Sequence, residues 1–231
     1  AWCLASVSWY WCRREASYLP YGVFSHFEWP HWPALKELLR LGIPSGVSFL
    51  VDVSAFTFMA LFIARLGPQV SAAHQIAANA AVFMFMVPTA VGSATAVLVG
   101  QALGAGNSRR SWDAGLLGLG IAGALGVTLG TAMYLGALPL ARAYTPDAAV
   151  APIAVGLLTL VAAYHLADSV QAVMIQVLRA YKRTWEPTLI YAVSLWGVGL
   201  GGGYLLGLTD VIGPARGAAG FWIAATASLT V

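Results

Sequence analysis

Two acidic residues lie deep inside long apolar stretches of this chain, Asp52 and Asp168. Only 9% of the 231 residues are charged and 59% are hydrophobic, so carboxylates in such surroundings are unusual. An ionised carboxylate at bilayer depth is costly, and it therefore faces a bundle interior or a water-filled cavity. The two acids are expected to mark the path of an ion or a substrate. The alternative for each is a structural hydrogen bond between membrane helices.

Further polar and aromatic side chains share helical faces with these acids or with one another. At positions i, i+4 and i+7 one face carries Tyr164, Asp168 and Gln171. A second predicted helix carries on one face Gln75, Asn79 and Met86, with Phe85 close by. Aromatic rings attract organic cations, oxygen atoms suit hard ions such as Na⁺, and Met adapts to varied shapes. These residues are therefore candidates for lining a cation cavity.

Each cavity candidate also has a simpler interpretation. Amides such as Gln75 and Asn79 often join membrane helices by hydrogen bonds, and Phe85 and Met86 could face lipid or pack in the bundle. Pro44 and Pro88 interrupt predicted helices and are candidate hinges, because a proline frees a backbone carbonyl and permits a kink. Simple tolerance of proline in membrane helices is the alternative.

The elements that position these residues are predicted membrane helices. A helix needs about 20 apolar residues to cross the hydrocarbon core. Five stretches are long enough: 41–66, 71–99, 112–138, 149–178 and 188–208. Two shorter apolar pieces, 1–12 and 217–231, are interpreted as truncated spans. The predicted fold is an all-α polytopic transmembrane bundle, and three GxxxG pairs (100/104, 126/130 and 199/203) predict close helix packing.

The bases indicate an orientation in the membrane. Nine of the 12 Lys and Arg residues fall on one side of the predicted spans: Arg13, Arg14, Lys36, Arg40, Arg109, Arg110, Arg179, Lys182 and Arg183. The other side has Arg65, Arg142 and Arg216. By the positive-inside rule the first side is cytoplasmic. Short basic connectors beside apolar runs indicate orientation and argue against nucleic-acid binding.

Other chemistry is disfavoured by residue spacing. His74 and His165 stand on different predicted helices without a Cys or second His at ligand spacing, so a zinc site is not expected. The glycines are not followed by the Lys of a phosphate-binding loop, so nucleotide binding is not expected either. No organic cofactor is predicted.

Three stretches resemble a known transporter family. Residues 39–56 and 66–107 read LRLGIPSGVSFLVDVSAF and LGPQVSAAHQIAANAAVFMFMVPTAVGSATAVLVGQALGAGN. They resemble the seventh and eighth membrane helices of the multidrug and toxic compound extrusion (MATE) family, near its NorM-like branch. Residues 168–182, DSVQAVMIQVLRAYK, resemble the tenth helix and the loop that follows it.

The resemblance implies the C-terminal lobe of a two-lobe, twelve-helix antiporter. Residues 1–40 would hold the tail of a preceding membrane helix and the cytoplasmic inter-lobe connector, and 41–231 the membrane lobe. Similar proteins sit in the bacterial inner membrane and export organic cations or drugs in exchange for Na⁺ or H⁺. The implied partners are those drugs, the lipid bilayer and an N-terminal lobe of the same protein outside this chain.

The resemblance also implies specific ion-coupling residues. The cation-linked acids of the NorM-like branch fall on Asp52 and Asp168, which makes them the candidate Na⁺ or H⁺ site. At the first of these positions the family usually has Glu, so Asp52 is one methylene shorter. Two other functions stay open from the sequence: a lipid-linked precursor flippase of the same wider superfamily, and a polytopic membrane enzyme using Asp52, Asp168 and His165 as acid–base groups.

Overall fold

The computed structural model describes residues 6–11, 29 and 31–230, and in these the secondary structure is helical without strands. The helices are α1 (Trp32–Ala64), α2 (Pro68–Gly104), α3 (Ser108–Tyr144), α4 (Val150–Ala180), α5 (Trp185–Leu208) and α6 (Ala218–Leu229). Within α5, Ser194–Gly201 forms a π-helical segment between the α-helical parts Trp185–Val193 and Gly202–Leu208. Residues 6–11 are also helical.

Helices α1 to α5 are each long and apolar enough to cross a membrane, which confirms the five predicted spans. Helix α6 is a shorter apolar helix of 12 residues. Half of the predicted piece 1–12 lies outside the described residues. The chain divides into two compact units, residues 1–40 and 41–231.

Helix α1 begins nine residues before the predicted start at Leu41, at Trp32. Pro33 falls in its first turn, where the missing N–H costs nothing. The residues that follow, Ala34 to Arg40, are strong helix formers. The predicted start of this span at residue 41 is therefore wrong, because helix propensity continues towards the N-terminus where hydrophobicity stops.

The core forms where α2, α3 and α4 pack against one another, with α6 packed between α4 and α5. Helix α4 is the most buried of the five long helices. Helix α1 meets the bundle through large side chains: the Phe62 ring stacks on Phe221 at 6.2 Å and meets Tyr204 edge-on at 5.3 Å. Its buried residues, from Pro44 to Ile63, form one narrow stripe.

Two of the three predicted glycine contacts are present. A Cβ on Gly130 would lie 2.8 Å from the carbonyl oxygen of Ala162, and one on Gly203 would lie 2.6 Å from the Phe221 ring. Their partners Gly126 and Gly199 also face neighbouring helices, so α3 approaches α4 and α5 approaches α6 closely. The prediction for Gly100 and Gly104 is wrong within this chain, because a Cβ at either position meets nothing within 4 Å.

Candidate functional site

Asp168 lies on α4, the central helix, and its residue surface is 5% exposed. The Tyr164 hydroxyl donates to its Oδ1 at 3.4 Å from one turn earlier on the same helix. Its Oδ2 lies 4.0 Å from Nδ1 of His165. The i, i+4 spacing expected between Tyr164 and Asp168 therefore places a phenol directly beside a buried carboxylate.

Asp52 lies on the buried stripe of α1, one turn after Ser48 and one turn before Ala55. Its side chain is partly buried, and its Oδ1 accepts a hydrogen bond of 2.7 Å from the hydroxyl of Tyr191 on α5. Sequence reasoning did not find Tyr191. The phenol stands 139 residues from its acid in the chain, and a tyrosine in an apolar run carries no local signal for such a partner.

The two carboxylates lie near each other in space. The Phe56 ring, one helical turn from Asp52, lies 6.5 Å from the ring of Tyr164, one turn from Asp168. The two acids, Tyr164 and Tyr191 are therefore close enough to influence one another electrostatically. We call these four residues the acid–phenol cluster. It presents only oxygen atoms, the ligand type that hard cations prefer and that zinc sites rarely use alone. Two like charges placed together favour uptake of a cation that neutralises one of them.

An aromatic wall stands beside this cluster. The Tyr164 ring meets Trp222 of α6 edge-on at 5.6 Å and Phe56 of α1 edge-on at 6.5 Å. Phe56 also lies 6.3 Å from Trp222, which in turn lies 5.9 Å from the ring of His74 on α2. Phe56 follows Asp52 by one helical turn and Tyr164 precedes Asp168 by one turn, so the wall links the two acid-bearing helices through packed rings.

The structure separates the α2 candidates from the acid–phenol cluster. Gln75, Asn79 and Met86 are exposed, and Phe85 is only partly buried. The packed face of α2 instead carries His74 together with small and apolar residues such as Ala77 and Ile76. Among the described residues no hydrogen bond joins Gln75, Asn79 or the partly buried Gln171 to either carboxylate. The α2 side chains therefore belong to an open surface of the bundle.

Both candidate hinge prolines, Pro44 and Pro88, are buried inside their helices. The Ser48 hydroxyl contacts the carbonyl oxygen of Pro44 at 3.0 Å and the hydroxyl of Thr188 on α5 at 2.9 Å. Thr188 also reaches the Pro44 carbonyl at 3.4 Å. The proline turn of α1 is thus a polar contact point with α5, two turns from Asp52.

Comparison with known proteins agrees with this architecture. Residues 44–205 match the family described as MatE. The chain is 42% identical over 202 residues to a probable multidrug resistance protein NorM of Idiomarina loihiensis, a match that covers 87% of this chain and 44% of that protein. The chain thus spans about half the length of the relatives it matches.

Two solved structures share the fold. The eukaryotic MATE transporter AtDTX14 superposes with a TM-score of 0.84 at 18% identity, covering 99% of this chain and 50% of that one. The MATE transporter ClbM in complex with Rb⁺ superposes with a TM-score of 0.75 at 20% identity, covering 93% of this chain and 48% of that one. At these identities the two structures support the fold alone.

Family membership excludes one of the functional classes left open by the sequence. Members of this family are transporters, so the expectation that the chain is not an enzyme is confirmed and the membrane-enzyme alternative is wrong. The five spanning helices and the bacterial relatives make it an integral protein of the inner membrane. The chain therefore belongs to the MatE family of multidrug and toxic compound extrusion transporters, in its NorM-like branch, and corresponds to one lobe of that fold.

Proposed function

We propose that this chain is one lobe of a secondary active antiporter that exports organic cations or drugs in exchange for Na⁺ or H⁺. The observation that carries the proposal is the acid–phenol cluster, in which Asp52 on α1 and Asp168 on α4 each accept a hydrogen bond from a tyrosine inside an apolar bundle. The relative from Idiomarina loihiensis is a probable multidrug resistance protein, and the structural neighbour ClbM is described with bound Rb⁺.

The proximity of the two carboxylates suits ion exchange. When both are ionised in a medium of low dielectric, their repulsion raises the free energy of the empty site. A proton or Na⁺ lowers that free energy by neutralising one charge, and a cationic drug does the same. Ion and drug then bind in competition through shared charge, which makes their binding free energies negatively coupled.

The drug-binding surface is proposed to lie on the open face of α2. Met86 is 57% exposed and the adjacent Phe83 is 73% exposed. Together with Gln75 and Asn79 they form a face that mixes amides with adaptable apolar groups, which suits ligands of varied shape. The Tyr164 ring and Gln171 are proposed to extend this cavity towards the carboxylates.

A second lobe completes the transport path in this proposal. The relatives are about twice as long as the matched part of this chain. An N-terminal lobe of the same protein would face the open surface of α2, and rocking of the two lobes would expose the cavity to each side of the membrane in turn. Pro44 and Pro88 are proposed as points where α1 and α2 bend during that motion.

The test is drug transport by the complete protein in reconstituted vesicles, with Na⁺ and pH gradients imposed separately. Efflux of ethidium should follow at least one gradient and should be lost in Asp168→Asn. The matched control is Asp113→Asn, which removes an exposed carboxylate outside the cluster on α3 and should transport normally. If neither gradient drives ethidium efflux and the vesicles instead translocate a lipid head group, the protein is a flippase.

A further inference from the structure

We propose that Tyr191 is a positioning residue for ion coupling: its hydroxyl fixes one oxygen of Asp52 and leaves the other for the coupling ion. This inference rests on the proposed ion-coupling role of Asp52. The hydrogen bond from Tyr191 to Oδ1 of Asp52 is 2.7 Å long and joins α5 to α1. Such a short O–H···O contact is typical of a hydroxyl donating to a carboxylate.

The helix that carries Asp52 offers the carboxylate no partner of its own. At i−3, i+3 and i+4 stand Phe49, Ala55 and Phe56, which have no polar side-chain atoms. Ser48, at i−4, is engaged with the Pro44 carbonyl and with Thr188. Among the described residues, Tyr191 makes the one hydrogen bond to the Asp52 carboxylate. Helix α5 therefore supplies the hydrogen-bond donor for Asp52 that α1 lacks.

The two acids of the cluster are held differently. Asp168 receives a contact of 3.4 Å from Tyr164 on its own helix, which can persist wherever α4 moves. Asp52 is held at 2.7 Å across two helices, so its orientation depends on how α1 and α5 are placed. Tyr191 consequently couples the geometry of the ion site to the contact between these helices, and Tyr164 does not.

Contacts on both sides of Tyr191 hold α1 and α5 together. Before it, Thr188 bonds Ser48 at 2.9 Å. After it, Trp196 in the π-helical segment approaches the Val51 carbonyl with Nε1 at 3.4 Å and packs edge-on against Phe58 at 5.5 Å. These contacts join α1 and α5 on either side of the Tyr191–Asp52 bond without touching the carboxylate, and π-helical turns are frequent at functional sites.

The same contacts provide controls that separate positioning from helix packing. Ser48→Ala removes a hydrogen bond between α1 and α5 without touching either carboxylate. Tyr204→Phe changes a tyrosine of the same helix whose ring packs on Phe62, away from both acids. A merely structural role of Tyr191 predicts that Tyr191→Phe and Ser48→Ala behave alike, whereas positioning predicts that they differ.

The experiment measures the half-saturating concentration of the driving ion and the maximal efflux rate in vesicles containing the complete transporter. Tyr191→Phe should raise the half-saturating concentration about tenfold, the loss expected for one hydrogen bond to a charged group, and Tyr204→Phe and Ser48→Ala should leave it within about twofold. Adding Tyr191→Phe to Asp52→Asn should change nothing further, because the phenol acts through the carboxylate.

Several outcomes would overturn the assignment. An unchanged half-saturating concentration in Tyr191→Phe, when Asp52→Asn is impaired, refutes the role of Tyr191 and leaves the ion-coupling proposal intact. Equal effects of Ser48→Ala and Tyr191→Phe assign the residue to helix packing. Full ion-driven transport by both Asp52→Asn and Asp168→Asn refutes the proposed function itself.

A spectroscopic measurement covers the case in which Tyr191→Phe accumulates poorly. Infrared difference spectra recorded on addition of the driving ion to Tyr164→Phe protein should contain a tyrosine band from Tyr191. That band should disappear when Asp52→Asn is added to the same background. A tyrosine band that persists without the carboxylate would contradict the hydrogen bond as the link to the ion.

Discussion

Asp52 and Asp168 differ in how far they are buried within the bundle and in how tightly their helices are packed. Asp168 is 5% exposed on the central helix α4, where its surroundings are packed on several sides. Asp52 is partly buried on α1, which meets the bundle along a narrow stripe. A charge on Asp168 is therefore less well solvated, and neutralising it releases more free energy.

From this difference we predict that Asp168→Asn abolishes ion-driven efflux more completely than Asp52→Asn. The amide keeps the volume and polarity of the side chain but cannot change charge, so the exchange step is lost while folding is retained. Initial rates of ethidium efflux in vesicles, normalised to protein content, measure both variants. Full gradient-driven transport by Asp168→Asn at normal expression would show that this acid is structural.

The exposed amide of Gln75 on α2 is predicted to affect which drugs are exported. Gln75→Ala should alter the ratio of efflux rates among several drugs and leave membrane insertion intact, because Gln75 is exposed and makes no hydrogen bond within the described bundle. Thr128→Ala is a control on an exposed hydroxyl of α3 that bonds only to its own helix. A uniform loss of folded Gln75→Ala protein would indicate a packing role instead.

The packing of helices α5 and α6 depends on glycines. Helix α6 lies so close to α5 that a Cβ on Gly220 would stand 2.7 Å from the backbone carbon of Leu206 and from the backbone nitrogen of Gly207. Backbone atoms cannot turn aside as a side chain can. The α5–α6 pair must then separate or lose its contact.

Gly220→Ala should therefore destabilise the protein by about 1–3 kcal/mol, the usual cost of overpacking. Gly123→Ala is the matched control, because a Cβ there meets nothing within 4 Å and alanine favours a helix over glycine by roughly 0.5–1 kcal/mol. Thermal unfolding of both purified variants in detergent gives the comparison. An unchanged melting temperature for Gly220→Ala would contradict the close α5–α6 approach.

The whole molecule has an orientation that can be tested in cells. Helices α3 and α4 are joined by residues 145–149, and the connectors before α3 and after α4 contain Asn107 and Arg183. Cysteines introduced at these two positions should react with an impermeant thiol reagent from the cytoplasm, and a cysteine at Pro146 from outside, following the charge bias of the loops. Labelling of Asn107 and Pro146 from the same side would contradict five spans.

The sequence predicts most reliably those features that depend on residues close together in the chain. Apolar length identifies the membrane helices because each helix satisfies its own backbone hydrogen bonds in lipid. Helical spacing placed Tyr164 beside Asp168 for the same reason, since i and i+4 neighbours are set by the helix itself. The two acids inside apolar helices and the close packing at Gly126 and Gly203 could be predicted in this way.

Contacts between helices were decided by the tertiary structure alone. The bond between Tyr191 and Asp52, the packing of Phe56 on Trp222 and the exposure of Gln75 and Asn79 depend on the rotation and register of helices far apart in sequence. In lipid, an apolar side chain has nearly the same surroundings on every side of a helix, so hydrophobicity does not indicate which face meets a neighbour. Close packing at small residues and a few polar contacts select that face, and they act only once all the helices are assembled.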